Sequence, residues 1–199
     1  MILLKKAFGF LMLLLIPVML DAQQGYEDFY KRSLSVNNAG MYVLGSWAIT
    51  NMAVGAYGWA RNDGSNKYFH QMNLFWNTVN ISIAGFALYN NYTTDISLLS
   101  NEGMMNQHKM MERLFLINAG LDILYMGGGY YLTHIAKKKT KRKEMFNGYG
   151  RSVILQGGFL FVFDLIMYGI QRNNRLEFMR DFNLSYLNNG LVLNYGMNF

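Results

Sequence analysis

Two aspartates, Asp122 and Asp164, carry the sharpest chemical signal in this 199-residue chain. Each stands inside a long apolar stretch, residues 114–136 and 152–171, that contains no Lys or Arg. Asp122 is ninth from one end of its stretch, and Asp164 is eighth from the corresponding end of its own. Two antiparallel neighbours would therefore hold the carboxyls at one depth. Such a pair can share a proton, bind a cation, or hydrogen-bond to Asn118, Tyr125 or Gln156, and an acid inside an apolar helix is a functional candidate by default.

A second constellation is built from amides. His70, Asn73, Asn77 and Asn80 follow one another at steps of 3, 4 and 3, so at 100° per residue they form a single stripe. Trp47, Asn51, Gly55 and Gly58 share a face of the preceding stretch, and Asn51 is placed to meet the amide stripe. Amides do not face lipid cheaply, so the stripe must turn toward other helices or water. Interhelical hydrogen bonding is the default reading, and a polar pathway or ligand pocket is the functional one. Small residues at Gly55 and Gly58 let another helix approach closely.

Other patterns carry less. No second His lies at a ligand spacing from His70 within these stretches, so no metal or haem site is predicted, and no cofactor is expected. Gly127-Gly128-Gly129 lies inside an apolar helix without a preceding strand and is not a phosphate loop. Gly148 and Gly150, near a helix start, leave room for a headgroup. His108 and Glu112, one turn apart, read as a surface pair. No nucleophile, base and orienting acid stand at a catalytic spacing, and without cysteine there is no disulfide or thiol chemistry.

The elements that must position these groups are long helices. Hydrophobic residues make up 52% of the chain and charged residues 15%, against roughly 25% charged in soluble domains. Four apolar stretches, 41–60, 72–92, 114–136 and 152–171, are each near the length needed to cross about 30 Å of hydrocarbon. Mean hydropathy is nonetheless only +0.05, because these stretches hold many Asn, Gly and Tyr. Ahead of them, two lysines, an apolar run from Ala7 to Leu20 and a small residue at Ala22 have the form of an export signal, with cleavage expected after Ala22. Gln23 to Asn38 then reads as a short interfacial helix.

The net charge of +6 is concentrated between Lys137 and Lys143, where only Thr140 interrupts the basic residues. A basic block beside an apolar helix marks a cytoplasmic loop rather than a nucleic-acid surface. The loop at 93–103 carries Asp95 and Glu102 and no basic residue. Export of the N-terminus and this asymmetry agree on one topology, with both termini periplasmic and the protein in the bacterial inner membrane. After 173 the chain is expected to be a periplasmic tail. Alternation from Leu191 to Phe199 beyond Asn188-Asn189-Gly190 predicts a small β-hairpin there. A faint internal echo, Asn77 to Tyr89 and Gln156 to Tyr168, is explained equally by duplicated helix pairs and by chance.

The stretch Tyr68-Phe69-His70-Gln71-Met72-Asn73, with Trp76-Asn77 and Asn80, resembles a family of small uncharacterised exported membrane proteins of Gram-negative bacteria. Residues 116–122, ending in Asp122, and Leu155 to Leu160 with Asp164 look like its other recurring segments. The resemblance covers most of the chain after the signal and implies a domain of unknown function, hence no activity to transfer. The expected fold is thus all-α: a signal peptide over 1–22, a four-transmembrane-helix bundle over 23–172 and a short tail. The expected role is a non-enzymatic structural or accessory component that meets the lipid bilayer and a membrane protein partner or a second copy of itself. The alternative is a small proton- or cation-coupled transporter using Asp122 and Asp164. A lipid-modifying enzyme has no support beyond polar groups near a membrane.

Overall fold

The computed structural model describes the backbone of residues 2–138 and 141–188, and the side chains of 24–138 and 141–182. Among the described residues four helices follow one another: α1 (Ile2–Arg61), α2 (Gly64–Thr93), α3 (Asn101–Ala136) and α4 (Lys143–Asn188), with a 3-10 turn at Ile96–Leu98. They run up, down, up and down. Asn51 meets Asn73 and Asn38 meets Asn91, so α1 and α2 are antiparallel. Glu112 meets Arg175 and Asp122 borders Gly157, so α3 and α4 are antiparallel too.

Helical periodicity explains the length of α1. Tyr30, Ser33, Asn37, Met41, Leu44, Ala48 and Asn51 are buried and recur at steps of 3 and 4. One face thus continues through residues where a separate interfacial helix was expected, and no proline interrupts the helix between Gln23 and Arg61. The turn into α2 is short. Asn62 ends α1 by donating its backbone N–H and its side-chain amide to the Gly58 carbonyl at 2.9 and 2.8 Å. Gly64 then takes φ +58°, a left-handed conformation open to glycine at little cost. Ser100 caps α3, its Oγ accepting from the Gly103 N–H at 3.1 Å.

Glycines set the closest approaches. A Cβ on Gly129 would lie 2.7 Å from the Gly150 carbonyl oxygen, and one on Gly150 would strike the Gly129 carbonyl, so α3 and α4 touch backbone to backbone. Gly148 faces Ser65 and Phe69 of α2, and Gly55 and Gly58 admit His70 and Leu74. The room expected for a headgroup at Gly148 and Gly150 is therefore filled by neighbouring helices.

The interior is layered. A polar layer around Asn73 and Gln156 is followed by an apolar one of Met41, Leu44, Ala84, Phe115, Phe163 and Met167. A second polar layer surrounds His108, and beyond it Phe29, Tyr30, Leu34, Met104 and Met105 close the bundle. Where the two hairpins meet, residues 79 apart stand side by side. Ser65 bonds the Glu144 carbonyl, Ser152 bonds Asn73, and the Phe29 ring lies 4.7 Å from that of His108. This register is the one two similar helix pairs adopt about a two-fold axis, and it matches the offset of the sequence echo.

Two expectations are narrowed. Among the described residues one helix, over Lys143–Phe182, is long and apolar enough to cross a membrane by length and composition alone. The inward faces of the other three carry Asn, Gly, Ser and His, which lowers their average. The expected hairpin is not supported: α4 stays helical through Asn183–Asn188, no strand occurs among the described residues, and 189–199 lie outside them.

Candidate functional site

The amide stripe of α2 faces inward, with Asn73, Asn77 and Asn80 almost wholly buried. Asn73 is the hub. Its Nδ2 donates to Asn51 Oδ1 at 3.0 Å, and its Oδ1 accepts from Gln156 Nε2 and from Ser152 Oγ at 3.2 Å. Trp47 Nε1 donates to Gln156 Oε1 at 2.9 Å, and the Trp47 ring stacks on Phe159 with centroids 3.8 Å apart. Asn80 donates to Asn77 Oδ1 at 3.2 Å, and Asn77 donates back to the Asn73 carbonyl at 2.8 Å. The network joins α1, α2 and α4 through amides, one hydroxyl and one indole. None of these is a base or nucleophile at neutral pH, so the cluster's chemistry is hydrogen bonding. His70 stands apart: its ring lies against Gly58, and its buried Nδ1 has no hydrogen-bond partner among the described residues.

Asp122 and Asp164 come together. Both are buried, and the carboxyls lie within hydrogen-bonding reach of each other across the α3–α4 contact. Asp122 Oδ2 meets no donor among the described residues. The partners expected for the pair are elsewhere. Asn118 points outward, Tyr125 is exposed with its ring edge-on to Trp76, and Gln156 is committed to the amide hub. Asn118 stands one residue before Ala119, off the inward line that runs through Phe115, Ala119 and Asp122, and is exposed.

Sequence reasoning missed a third cluster. His108 and Glu112, expected at the surface, are buried at the other end of the bundle because their face of α3 is covered by α1 and α4. His108 Nε2 lies 3.1 Å from the Gln171 carbonyl, which can only accept, so Nε2 carries a proton. Nδ1 lies 2.7 Å from Ser33 Oγ. Ser33 Oγ in turn is 3.0 Å from the Phe29 carbonyl and accepts from Asn174 Nδ2 at 2.9 Å. When the ring is neutral the hydroxyl donates to Nδ1. When the ring is charged Nδ1 donates, and the hydroxyl can turn to Phe29. Arg175 clasps Glu112 in two bonds, Nε to Oε2 at 2.7 Å and Nη2 to Oε1 at 3.1 Å.

Burial pushes the His108 ring below the ordinary histidine range. Glu112 and the Gln171 carbonyl pull it back up, and Arg175 adds a downward push. The hydrogen bond to Glu112 raises Arg175 further, keeping it cationic. Ser33, His108 and Glu112 superficially form a hydrolytic triad. The geometry rejects it, since Glu112 Oε2 sits 3.8 Å from the same nitrogen that serves Gln171, and Ser33 has no exposed surface for a substrate to reach.

Among the described residues no group of three or more His, Asp and Glu is arranged to hold a metal. Residues 43–165 match a protein-family model described as a family of unknown function, DUF6992, and the chain belongs to that family. The matched region takes in Asn51, the α2 stripe, the carboxyl pair and Gln156, together with His108 and Glu112. No curated protein and no solved structure matches the chain.

Proposed function

For a member of a family without a known activity, we propose a non-enzymatic, membrane-embedded role: a helical bundle acting as a structural or accessory component of the bacterial inner membrane. One observation carries the reading, namely that amides are buried between the apolar layers while many large hydrophobic side chains face outward. The buried set includes Asn51, Asn73, Asn77, Asn80, Gln156 and Gln171. Large hydrophobic side chains such as Val54, Phe75, Val79, Ile83, Phe86, Leu124, Val162 and Ile166 are roughly half or more exposed. In water both features are costly, since buried amides lose hydration and apolar patches of this extent mark association with a membrane or a partner. In lipid both become favourable. Residues 39–60, 68–93, 114–136 and 152–171 hold no charged side chain apart from Asp122 and Asp164. At 1.5 Å per residue each covers roughly the 30 Å of a hydrocarbon core.

The proposed topology puts the α1–α2 and α3–α4 turns in the cytoplasm and the ends of α4 and of the mature chain in the periplasm, after removal of residues 1–22. Alkaline carbonate washing should leave the chain in the membrane pellet, and detergent should be needed to release it. Reporter fusions should read inside at Lys139 and outside at Asn188. Release by carbonate, or the opposite reporter pattern, would sink the proposal.

The contact between Asp122 and Asp164 favours a second reading, in which the pair handles a proton or cation for a small transporter. Two buried carboxyls this close repel when both are ionised, which favours a proton or a cation between them. Infrared difference spectra should then show a carboxyl band that vanishes in both Asp122→Asn and Asp164→Asn, with the fold retained. A bundle using the pair only as a helix link should tolerate either substitution without any change in ion flux into proteoliposomes.

A further inference from the structure

We propose that the end of the bundle bearing the α1–α2 and α3–α4 turns binds the phosphate headgroups of anionic phospholipids, an inference that rests on the membrane reading above. The charges sort by end. Every ion pair among the described residues lies at the far end: Lys31 with Glu27 and Asp28, Arg32 with Glu177, Arg180 with Asp181, and Glu112 with Arg175 and His108. At the turn end Arg61 and Lys67 flank the first turn, and Lys137, Lys138, Lys141 and Arg142 flank the second. All six are exposed, and none has an ion-pair partner among the described residues. The nearby acids are Asp63 and Glu144, and the Glu144 carboxylate lies over the Gly64 turn. This end therefore holds uncompensated positive charge that the rest of the fold does not neutralise.

The position of that charge selects the anion. Tyr130 and Tyr131 are exposed on α3, six or seven residues before Lys137, which is about 10 Å along the helix. Tyr57 is exposed on α1 one turn before Arg61, whose guanidinium lies 6.0 Å from its ring. Amphipathic rings followed by basic side chains are the sequence of groups met on passing from acyl chains to headgroups. Arg151, beside the second turn, is held by Asn66 at 3.2 Å and lies 5.4 Å from the Phe69 ring, which keeps a guanidinium fixed at this height. A lipid packed against the exposed apolar faces places its phosphate among these cations. Free nucleic acid or an acidic soluble protein would use the charge and leave the ring of tyrosines unexplained. Each basic residue near an anionic surface raises binding by roughly fivefold.

The full chain in a neutral detergent tests this by thermal unfolding, with phosphatidylglycerol or phosphatidylcholine added to the micelles. Phosphatidylglycerol should raise Tm, and phosphatidylcholine at the same mole fraction should not. The K137Q/K138Q/K141Q/R142Q variant should keep the lipid-free Tm, since no ion pair is lost, and need at least tenfold more phosphatidylglycerol for the same shift. R61Q/K67Q, on the other turn, gives a second reading should the first variant fold poorly. Equal responses to the two lipids, or an undiminished response in both variants, overturns the proposal. So does inorganic phosphate matching the effect, which would assign a free-anion site. A chain that stays monodisperse without detergent overturns the membrane reading itself, whereas a detergent-requiring chain indifferent to headgroup overturns this inference alone.

Discussion

Gly129→Ala is expected to lower the unfolding temperature of the detergent-solubilised chain by about 2–10 °C, while Gly128→Ala next to it leaves Tm unchanged or slightly raised. The two substitutions are chemically identical and differ in what the new methyl meets. On Gly129 the Cβ would stand 2.7 Å from the Gly150 carbonyl oxygen and 3.0 Å from the Ile154 nitrogen, both backbone atoms that cannot rotate away. The helices must separate, and overpacking of this kind costs about 1–3 kcal/mol. On Gly128 nothing lies within 4 Å, so the substitution only restricts the unfolded chain and gains about 0.5–1 kcal/mol at most. Gly150→Ala should behave like Gly129→Ala, because its methyl would strike the Gly129 carbonyl. The double variant should cost less than the sum, since helices already moved apart by the first methyl admit the second. Equal effects at 128 and 129 would show that the close crossing is misplaced.

That crossing was only half legible from sequence. Three consecutive glycines in an apolar helix say that a backbone approach is available, and they do not say which of the three faces the partner. The phase comes from distant residues. Met104, His108, Glu112, Phe115, Ala119 and Asp122 run along α3 at steps of 4, 4, 3, 4 and 3, and all are buried. The stripe that ends on Asp122 therefore carries His108 and Glu112 inward as well. Their charge suggests a surface pair, and the helical period overrides it. Asn118 shows the complementary case, polar and near Asp122 in sequence yet off its stripe and exposed. The amide stripe of α2 was readable because four polar residues fell on one face of an otherwise apolar segment, and polarity and period agreed there. Its partner Asn51, on a shared face of the preceding helix, was readable too, whereas Gln156 and Ser152 were not, since they come from a helix more than 70 residues away, joined by contacts that only packing decides. The continuous α1 escaped because the polar stretch after Gln23 interrupts hydropathy without interrupting the helical period.

Arg175→Met is expected to be the most damaging single change at the far end of the bundle, and its cost should depend on pH in a specific direction. Glu112 is almost fully buried and takes both of its strong bonds from Arg175. Removing one partner of a buried pair costs roughly 3–5 kcal/mol because a charge is left without compensation. Arg175 keeps 23% of its side-chain surface exposed, so part of the pair's strength is already lost to water, and the lower end of that range applies. The variant leaves Glu112 with one neighbour able to take up positive charge, His108, whose Nε2 is 3.8 Å away.

The sign follows from the causes acting on that ring. In the wild type burial holds His108 below its ordinary 6.5, so the unfolded state binds the proton more tightly. Stability is then fully present above about pH 6.5 and declines as pH falls toward the lowered value. In Arg175→Met a downward push on the ring is gone and the pull from Glu112 remains, so His108 titrates at higher pH. A proton on the ring then replaces the lost guanidinium. The deficit of Arg175→Met relative to wild type should accordingly shrink between pH 7.5 and pH 5. Glu112→Gln should do the reverse, because a proton on His108 would face Arg175 with no carboxylate between them, and its deficit should widen as pH falls. Tm measured against pH for the three chains, with the imidazole followed by nitrogen-15 NMR, separates these outcomes. Three parallel curves would mean that His108 does not feel the Glu112–Arg175 pair, and the cluster would then be three independent contacts that share a layer of the bundle.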